Sequence, residues 1–374
     1  MIRHGDRMPM GRAVASLRAL LALILLALET PGFADVLRVG TFNVELARKG
    51  PGLLLRDLTR GKDPQIDAIV AVIARHSPDV LAIQNFDWDH DQVALAAFAE
   101  RLADAGAPYP HRFSARPNSG LATDLDLDGD RRLGGPGDAQ GFGAFTGQGG
   151  LAVLSRHPIA VAQVTDLSDL LWKDLPDALL PTWADGRPFP SDDAIAIQLL
   201  SSTAHWIVPI ALPDGGLFDL LTFQAGPPVF DGAEDRNGRR NHDEIRLWTE
   251  VLDGRFGSLH DRFVLAGGAN LDPHDSDGRF AAMRNLLADS RLQDPRPASA
   301  GAARSADQGH TGDNALDTVD WDGVGRMRVD YVLPASGWKV IDAGVAWPAE
   351  GEDGRAEALA ASRHRLVWVD LALD

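Results

Sequence analysis

Polar residues stand where several predicted strands end, in widely separated parts of the sequence. Five are amides or an imidazole at strand ends, and the sixth is a carboxylate within the motif RVDYVL: Asn43, Asn85, Gln224, Asn270, His364 and Asp330. Strand ends from distant parts of a chain commonly converge to form the site of an α/β protein. The sequence therefore predicts a polar site at the edge of a sheet, although a single Asn at a strand end is more often a turn or a helix cap.

The stretch from Phe223 to Trp248 joins a predicted strand to a predicted helix through a charged loop. Apolar residues between 216 and 223 predict the strand, and two prolines mark its end. Ile245, Trp248 and Val251 recur every three residues, which predicts the helix. Loops of this kind often carry chemistry, but a charged run is more often a plain solvated surface.

An acidic motif, DLDLDGD at 124–130, resembles the start of a Ca²⁺-binding loop. Its candidate ligands are Asp124, Asp126, Asp128 and Asp130. The twelfth position is Gly135 in place of the usual Glu, and no helix flanks the motif, so an EF-hand is excluded. A structural Ca²⁺ ion and a plain acidic loop are both compatible with this pattern.

The composition is that of a globular protein with enough apolar residues for a large core. Of 374 residues, 45% are hydrophobic and 24% are charged. The chain has no cysteine, which excludes disulfides, thiolate metal ligands and a Cys nucleophile. No Gly-x-Ser-x-Gly motif is present, so a serine hydrolase is unsupported.

Residues 1–34 are predicted to be a signal peptide. Four arginines precede an apolar run at 19–28, and Gly32-Phe33-Ala34 resembles a cleavage pattern ahead of Asp35. A membrane anchor is the alternative, but the apolar run is shorter than the roughly 20 residues that span a bilayer. Met10 could also be the start of the chain. We expect an exported protein, periplasmic or extracellular, with no membrane attachment after cleavage.

The protein is strongly acidic, with a formal net charge of −17. Removing residues 1–34, with their four Arg, one Asp and one Glu, brings the charge to −19. Non-specific binding of nucleic acid relies on Lys and Arg against phosphates, so nucleic acid is not favoured as a partner. A local basic site is still compatible with this charge.

Residues 35–374 are predicted to form one domain in which strands and helices mix without strict alternation. Strands are predicted at 36–43, 79–85, 151–154, 206–210, 217–223, 263–266, 328–333, 338–345 and 366–371, and helices at 66–74, 92–103 and 280–287. Several strands follow one another directly. This pattern favours an α/β (α+β) fold of two packed sheets with helices outside over a single parallel sheet.

Eight motifs, in order along the chain, resemble the endonuclease/exonuclease/phosphatase superfamily of DNase I-like proteins, and in particular an exported bacterial branch. They are TFN at 41–43, PDVLAIQNFDWD at 78–89, GFGAFTGQGGLAVLS at 141–155, LWKDLPDALLP at 171–181, PPVFDGAEDRNGRRNHDEIRLW at 227–248, GGANLDP at 267–273, RVDYVLP at 328–334 and SRHRLVWVDL at 362–371. The resemblance implies a four-layer α/β/β/α sandwich of two facing mixed sheets flanked by helices. It also implies a phosphoester hydrolase in which a divalent cation, usually Mg²⁺, clamps the ester while an activated water attacks phosphorus.

The resemblance also implies roles for single residues. Asn43 and Asn270 match retained site positions, and Asp330 and His364 match an Asp–His dyad that faces the phosphate. Where the family has Glu, His, Asp and Asp, this chain has Asn85, Gln224, Gly268 and Arg363. The family's Glu is the main metal ligand, and its first Asp orients the attacking water.

These substitutions are expected to lower both the affinity for Mg²⁺ and the rate of hydrolysis. A neutral amide is a poor Mg²⁺ ligand beside a carboxylate, and loss of a general base costs roughly 10²–10⁴-fold in rate. Asp87, Asp89 or Asp272 could replace the lost ligand, or could be ordinary loop acids. The substitutions favour a pseudoenzyme with weak or lost activity.

Three functions are therefore compatible with the sequence. One is a metal-dependent phosphoester hydrolase, supported by the whole-chain resemblance. The second is a non-catalytic relative that binds a phosphate ester or another small anion, with Arg363 as a possible phosphate fork. The third is a partner-binding scaffold, which no specific feature supports. Substrate choice is expected to lie in the loops 116–149 and 295–325.

Overall fold

The structure is a computed structural model that describes Met1, residues 36–304, residue 307 and residues 309–373. Apart from Met1, the predicted signal peptide lies outside the described residues. By their mutual contacts, Leu37–Ala372 form one compact unit, which lies within the predicted domain 35–374. In the part of the chain that the structure describes, no helix has the length and apolar character needed to cross a membrane.

The described strands form two mixed sheets and one two-stranded sheet. They are β1 (Val36–Asn43), β2 (Val80–Phe86), β3 (His111–Phe113), β4 (Gly150–Ser155), β5 (Thr165–Asp166), β6 (His205–Ala211), β7 (Leu217–Gln224), β8 (Phe263–Gly268), β9 (Val319–Trp321), β10 (Gly325–Met327), β11 (Asp330–Pro334), β12 (Val340–Val345) and β13 (Val367–Ala372). The first sheet has the order β12-β13-β1-β2-β4-β3, and the second has the order β11-β8-β7-β6-β5.

Each large sheet has a parallel pair near its middle. β1 is parallel to β2 in the first sheet, and β7 is parallel to β8 in the second. The outer strands β4, β6 and β11 run antiparallel to their neighbours. β2 contacts β7 and β8, and β11 contacts β13, so the two sheets pack against each other.

Helices flank both sheets. The described α-helices are α1 (Leu53–Arg60), α2 (Pro64–His76), α3 (Val93–Asp104), α4 (Asp192–Ile197), α5 (Arg236–Leu252), α6 (Ala281–Leu287), α7 (Ala300–Ala303) and α8 (Arg355–Ala361). One buried apolar cluster joins α1, α2, α3 and α8 to the first sheet. On the second sheet, Trp248 of α5 packs on the rings of His205 and Phe223 at centroid distances of 5.3 and 5.6 Å. The predicted fold class, two mixed sheets flanked by helices, is confirmed.

Local sequence explains how α2 leads into β2. Asp63 caps the helix by accepting the N–H groups of Gln65 and Ile66, and proline occupies the first helical position. Ser77 leaves the helix in the left-handed conformation, and Pro78 prevents its continuation. The chain then enters β2 beside β1.

α5 is longer than the sequence pattern predicts. It begins at Arg236, so much of the charged segment predicted as a loop is helical. Its inward face carries four side chains that are at most 5% exposed: Arg240, Asn241, Asp243 and Glu244. Hydrophobic periodicity does not detect such a face, because hydrogen bonds rather than apolar contacts satisfy it.

The buried polar face of α5 holds the loops around it. Arg240 donates to three loop carbonyls at 2.6–2.8 Å, those of Gln140, Leu199 and Leu200. Glu244 accepts the backbone N–H of Ser202 at 2.5 Å and that of Gly226 at 2.7 Å. Asn241 donates to the carbonyls of Gly226 and Ala269 at 2.7 and 2.8 Å. The last pair of bonds ties the chain after β7 to the chain after β8.

Candidate functional site

The ends of strands from both sheets meet at one edge. Asn43 ends β1 beside the end of β2, and Gln224 at the end of β7 pairs in register with Gly268 at the end of β8. Asp330 begins β11 and pairs with Gly268 from the other side. His364 contacts both Asn43 and Asp330, so it joins the two sheets at this edge.

The buried pair of His364 and Asp330 has the geometry of the expected dyad. His364 Nδ1 lies 2.8 Å from Asp330 Oδ2, to which Thr318 Oγ1 donates at 2.9 Å. A carboxylate oxygen accepts hydrogen bonds, so Nδ1 of the ring donates to Asp330 Oδ2. Nε2 then accepts an amide N–H of Asn43 at 3.4 Å. Trp321 packs edge-on against the imidazole at 5.7 Å and holds its orientation.

Two amide residues of the site sit at bends of the backbone. Asn85 and Asn270 have φ values of 60° and 50°, a left-handed conformation that Asn adopts more readily than most residues. Asn85 lies at a register shift between β2 and β4, and a Cβ on Gly149 would come within 2.8 Å of its Oδ1. Asn270 donates Nδ2 to the carbonyl of Ala225 at 2.8 Å. Glycine at 149 therefore makes room for the Asn85 amide.

Gln224 and Gly268 are sterically coupled. A Cβ on Gly268 would lie 2.2 Å from Oε1 of Gln224, so the Gln224 amide covers the position that a side chain at 268 would take. Gln224 is 8% exposed, and its Oε1 and Asp330 Oδ1 are buried without a hydrogen-bond partner among the described residues. The side chain at 224 and the residue at 268 are therefore sterically dependent on each other, which the sequence did not show.

Arg363 is paired with a carboxylate, a contact that the sequence analysis did not predict. Its Nε donates to Glu45 Oε1 at 2.8 Å, its Nη2 donates to the same oxygen, and its backbone N–H donates to Oε2 at 2.7 Å. Burial raises the pKa of Glu45, but the Arg363 donors outweigh burial and bring this pKa below its ordinary value. The hydrogen bond to Glu45 raises the pKa of Arg363. Sequence analysis missed Glu45, whose signal was its position two residues after Asn43.

The three carboxylates considered as replacement ligands are already engaged by the backbone. Asp87 accepts from the N–H groups of Arg48 and Gly149 at 2.9 Å. Asp89 caps α3 through two backbone N–H groups at 2.8 and 2.9 Å. Asp272 accepts three backbone N–H groups, from His274, Asp275 and Arg328. Asp87 and Asp272 are buried, so neither is the solvated loop acid that the sequence offered as the alternative.

The residues at this edge do not fit a Mg²⁺ site. Two carboxylates are hydrogen-bonded to the site residues described above. Asp330 is bound to His364 and Thr318, and Glu45 is bound to Arg363. The other polar side chains at strand ends are amides. Magnesium demands octahedral oxygen ligands and is usually held through one or two carboxylates. Glu45 would have to leave Arg363, and of these two carboxylates only Asp330 offers an unpaired oxygen, Oδ1. The residues present therefore do not supply the metal site that the family resemblance implies.

The acidic motif forms a cluster that differs by one residue from the prediction. Asp126, Asp128 and Asp130 each offer an oxygen within 4.8 Å of the other two, whereas Asp124 lies outside this group. Burial, followed by the charges of Asp130, Asp138 and Asp126, raises the pKa of Asp128. A cation at this cluster would relieve the repulsion, and backbone N–H groups also stabilise the carboxylates.

Asp317 is a buried carboxylate that sequence analysis did not single out. It precedes β9, is 5% exposed, and its Oδ2 has no hydrogen-bond partner among the described residues. Burial, and then the charges of Asp272, Asp307 and Asp275, raise the pKa of Asp317 to about 7, against the opposing effect of Arg326. The only sequence signal was an acidic run close to the RVDYVL motif.

Two mixed sheets that pack face to face between layers of helices define a DNase I-like fold. The sequence model of the Endonuclease/Exonuclease/phosphatase family matches residues 40–364, and the chain belongs to this family. The family is generally dependent on divalent metal ions. No curated protein matches the chain.

Several solved structures are similar to this chain. An endonuclease/exonuclease/phosphatase from Beutenbergia cavernae is 19% identical, with a TM-score of 0.53 over 90% of this chain and 72% of that chain. Sphingomyelinase C from Streptomyces griseocarneus is 18% identical, with a TM-score of 0.48 over 90% of this chain and 99% of its own. The human Nocturnin catalytic domain with bound sulfate is 14% identical, with a TM-score of 0.46 and coverages of 90% and 93%. At these identities the similarity concerns the fold alone.

Asp317→Asn should stabilise the protein at neutral and alkaline pH. The folded pKa of about 7 exceeds the ordinary value of 3.8, so the folded state loses stability as pH rises between these values. The loss is complete above the folded pKa and amounts to at most about 4 kcal/mol. Melting temperatures from pH 3.5 to 8 should rise most at pH 8 and depend less on pH in the variant. Asp313→Asn, an exposed change in the same segment, is the control, and an unchanged pH profile for Asp317→Asn would contradict the assignment.

Gly268→Ala should cost about 1–2 kcal/mol of unfolding free energy because the Gln224 amide must move. In the Gln224→Ala background the same change should be close to neutral, since the obstructing side chain is gone. A double-mutant cycle from chemical denaturation measures the coupling between the two positions. Additive effects of the two substitutions would show that Gln224 does not occupy the space above Gly268.

Proposed function

We propose that this family member binds a phosphate-type oxyanion, such as the phosphate of a small ester, without divalent-metal-dependent hydrolysis. The observation that argues most directly against metal-dependent hydrolysis is the pairing of Glu45 with Arg363 at an edge where other family acids are replaced. A site whose carboxylates are already bound to an arginine and a histidine has little tendency to capture Mg²⁺. The same site retains groups that donate hydrogen bonds.

Several donors at this edge have no partner among the described residues. The Nη1 group of Arg363 and the side-chain amide N–H groups of Asn85 and Gln224 make no hydrogen bond within the described structure. Arginine donors bind phosphate oxygens strongly because the hydrogen bond is charge-assisted. Neutral amides add donors without the repulsion that the family's carboxylates would exert on an anion. The arrangement suits a small oxyanion better than a metal ion.

The acidic net charge of −17 limits the size of the ligand. A nucleic acid would place many phosphates against an acidic surface, whereas a small anion responds mainly to charges within about 8–10 Å at physiological salt.

The signal peptide predicted for residues 1–34 leads us to propose an exported protein as well. Such a protein would meet scavenged phosphate esters outside the cytoplasm.

Metal-dependent phosphoester hydrolysis is the second candidate, favoured by membership of the family. It would require Asp330 and His364 to act beside a metal ligand that replaces the family's Glu. The backbone bonds of Asp87, Asp89 and Asp272 oppose their use for this purpose. We therefore rank hydrolysis below binding.

Calorimetry with inorganic phosphate should show binding that is the same in Mg²⁺ and in EDTA. Arg363→Gln should weaken this binding by about tenfold or more, because a charge-assisted donor is lost. The control is Arg291→Gln, which removes an arginine with bidentate contact to Asp289 next to the far end of β11. A panel of phosphomonoesters and phosphodiesters should show no Mg²⁺-stimulated turnover. Robust Mg²⁺-dependent hydrolysis by the unmodified protein would overturn the proposal.

We further propose a structural Ca²⁺ ion at Asp126, Asp128 and Asp130. Ca²⁺ should raise the melting temperature of the unmodified protein relative to a chelator, because a ligand of the folded state shifts unfolding by mass action. Asp128→Asn should remove this effect. Asp124→Asn is the matched control in the same loop and should keep it, since Asp124 lies outside the cluster. Identical melting curves in Ca²⁺ and chelator would leave a plain acidic loop as the correct description.

A further inference from the structure

Glu45 holds Arg363 in the way that a bound oxyanion would. One carboxylate oxygen accepts from Nε and Nη2 of the guanidinium, and the other accepts the backbone N–H of Arg363. Ser362 Oγ lies 3.0 Å from the second oxygen and 2.8 Å from the carbonyl oxygen of Asn43, and its single O–H donates to one of the two. The side chain of Glu45 is 16% exposed, whereas that of Arg363 is 60% exposed. The acceptor is therefore enclosed by the protein, and the guanidinium reaches solvent.

Backbone geometry brings the Glu45 carboxylate to this position. Glu45 has a φ of 49°, in the left-handed region, where a residue other than glycine is under strain. Its N–H donates to Asn43 Oδ1 at 3.2 Å, and the next residue, Leu46, donates to the carbonyl of Asn85 at 2.8 Å. The turn after β1 is thus bound to two residues of the site and directs Glu45 back toward Arg363.

The pair leaves the guanidinium only partly available. Arginine has five N–H donors, and Glu45 takes one from Nε and one from Nη2. The remaining three, two on Nη1 and one on Nη2, have no hydrogen-bond partner among the described residues, although the charge of Asp322 also attracts the guanidinium. An incoming anion meets these three donors together with the repulsion of the Glu45 charge. Glu45 also lies close enough to His364 for the two groups to interact electrostatically.

We propose that Glu45 is an internal competitor that occupies Arg363 and keeps the affinity of this site for phosphate-type anions low. The inference rests on the proposed function, because it concerns the same anion site. Ligands with two adjacent oxygens, such as phosphate monoesters, would displace Glu45 from the fork or bind to its open edge. The anion affinity is then set by competition between a tethered carboxylate and the ligand.

Glu45→Gln tests this competition with little change of shape. The Gln Oε1 can still accept from Nε and Nη2 of Arg363, while the negative charge is lost. The Gln Nε2 replaces the oxygen that accepts the Arg363 backbone N–H, so this N–H loses its acceptor and Ser362 Oγ can accept from Nε2. Phosphate affinity measured by calorimetry in EDTA should increase by about fivefold or more at low salt, and the gain should shrink at high salt. Glu45→Gln combined with Arg363→Gln should lose the gain, because the released donors are absent.

Two further measurements separate this role from a purely structural one. Asp289→Asn removes a carboxylate from the comparable Arg291 pair next to the far end of β11 and should leave phosphate affinity unchanged. Glu45→Ala is a second variant that also removes the charge, in case Glu45→Gln does not fold. Thermal unfolding of each variant shows whether the fold is retained.

The outcomes distinguish the inference from the proposed function. Phosphate binding that is detectable only in the Glu45 variants, or stronger in them, supports the competitor role. Binding by the unmodified protein that stays equal or weakens in folded Glu45→Gln and Glu45→Ala overturns this role and leaves the proposed function standing. An absence of phosphate binding in all folded variants overturns both.

Discussion

The bonds from the buried face of α5 to the neighbouring loops are the constraint on which the site depends. Asn241 donates to the carbonyls of Gly226 and Ala269, which follow Gln224 and Gly268 by two residues and one residue. Asn241 is fully buried, so its loss would leave two carbonyls unpaired, at about 1–3 kcal/mol each. One side chain thereby links the ends of β7 and β8 and places the Gln224 amide over Gly268.

The same helix positions the loops with charged groups instead of apolar ones. Burial lowers the pKa of Arg240 to about 10 and raises that of Glu244, and the attraction between the two groups opposes both shifts. Two buried groups of opposite charge are weak evidence for stability, because removing charges from water is costly. Here Glu244 also accepts the backbone N–H groups of Gly226 and Ser202, and Arg240 donates to the carbonyl of Leu200. Their effect is therefore to specify loop positions at the edge where the site lies.

The electrostatics of the site follow from pairing within the protein. Asp330 is bound to His364, Glu45 is bound to Arg363, and the amides at the other strand ends are neutral. A Mg²⁺ site needs carboxylates that are free to coordinate, whereas an anion site needs donors without a competing acceptor. At this edge the carboxylates are paired within the protein, and Glu45 occupies part of the Arg363 donors. The DNase I-like fold is thus combined with a site whose carboxylates are paired within the protein.

The residues at the strand ends and the two-sheet fold class could be predicted from period-two patterns, and the family from motifs along the chain. The pairing of Asp330 with His364, 34 positions apart, was expected only from the resemblance to that family. The folded chain was needed to show that α5 begins at Arg236, that backbone N–H groups occupy Asp87 and that Glu45 binds Arg363. Glu45 and Arg363 are 318 positions apart, so their pairing depends on which strands become neighbours. Local periodicity carries no information about such contacts, because they form only when distant strand ends are packed together.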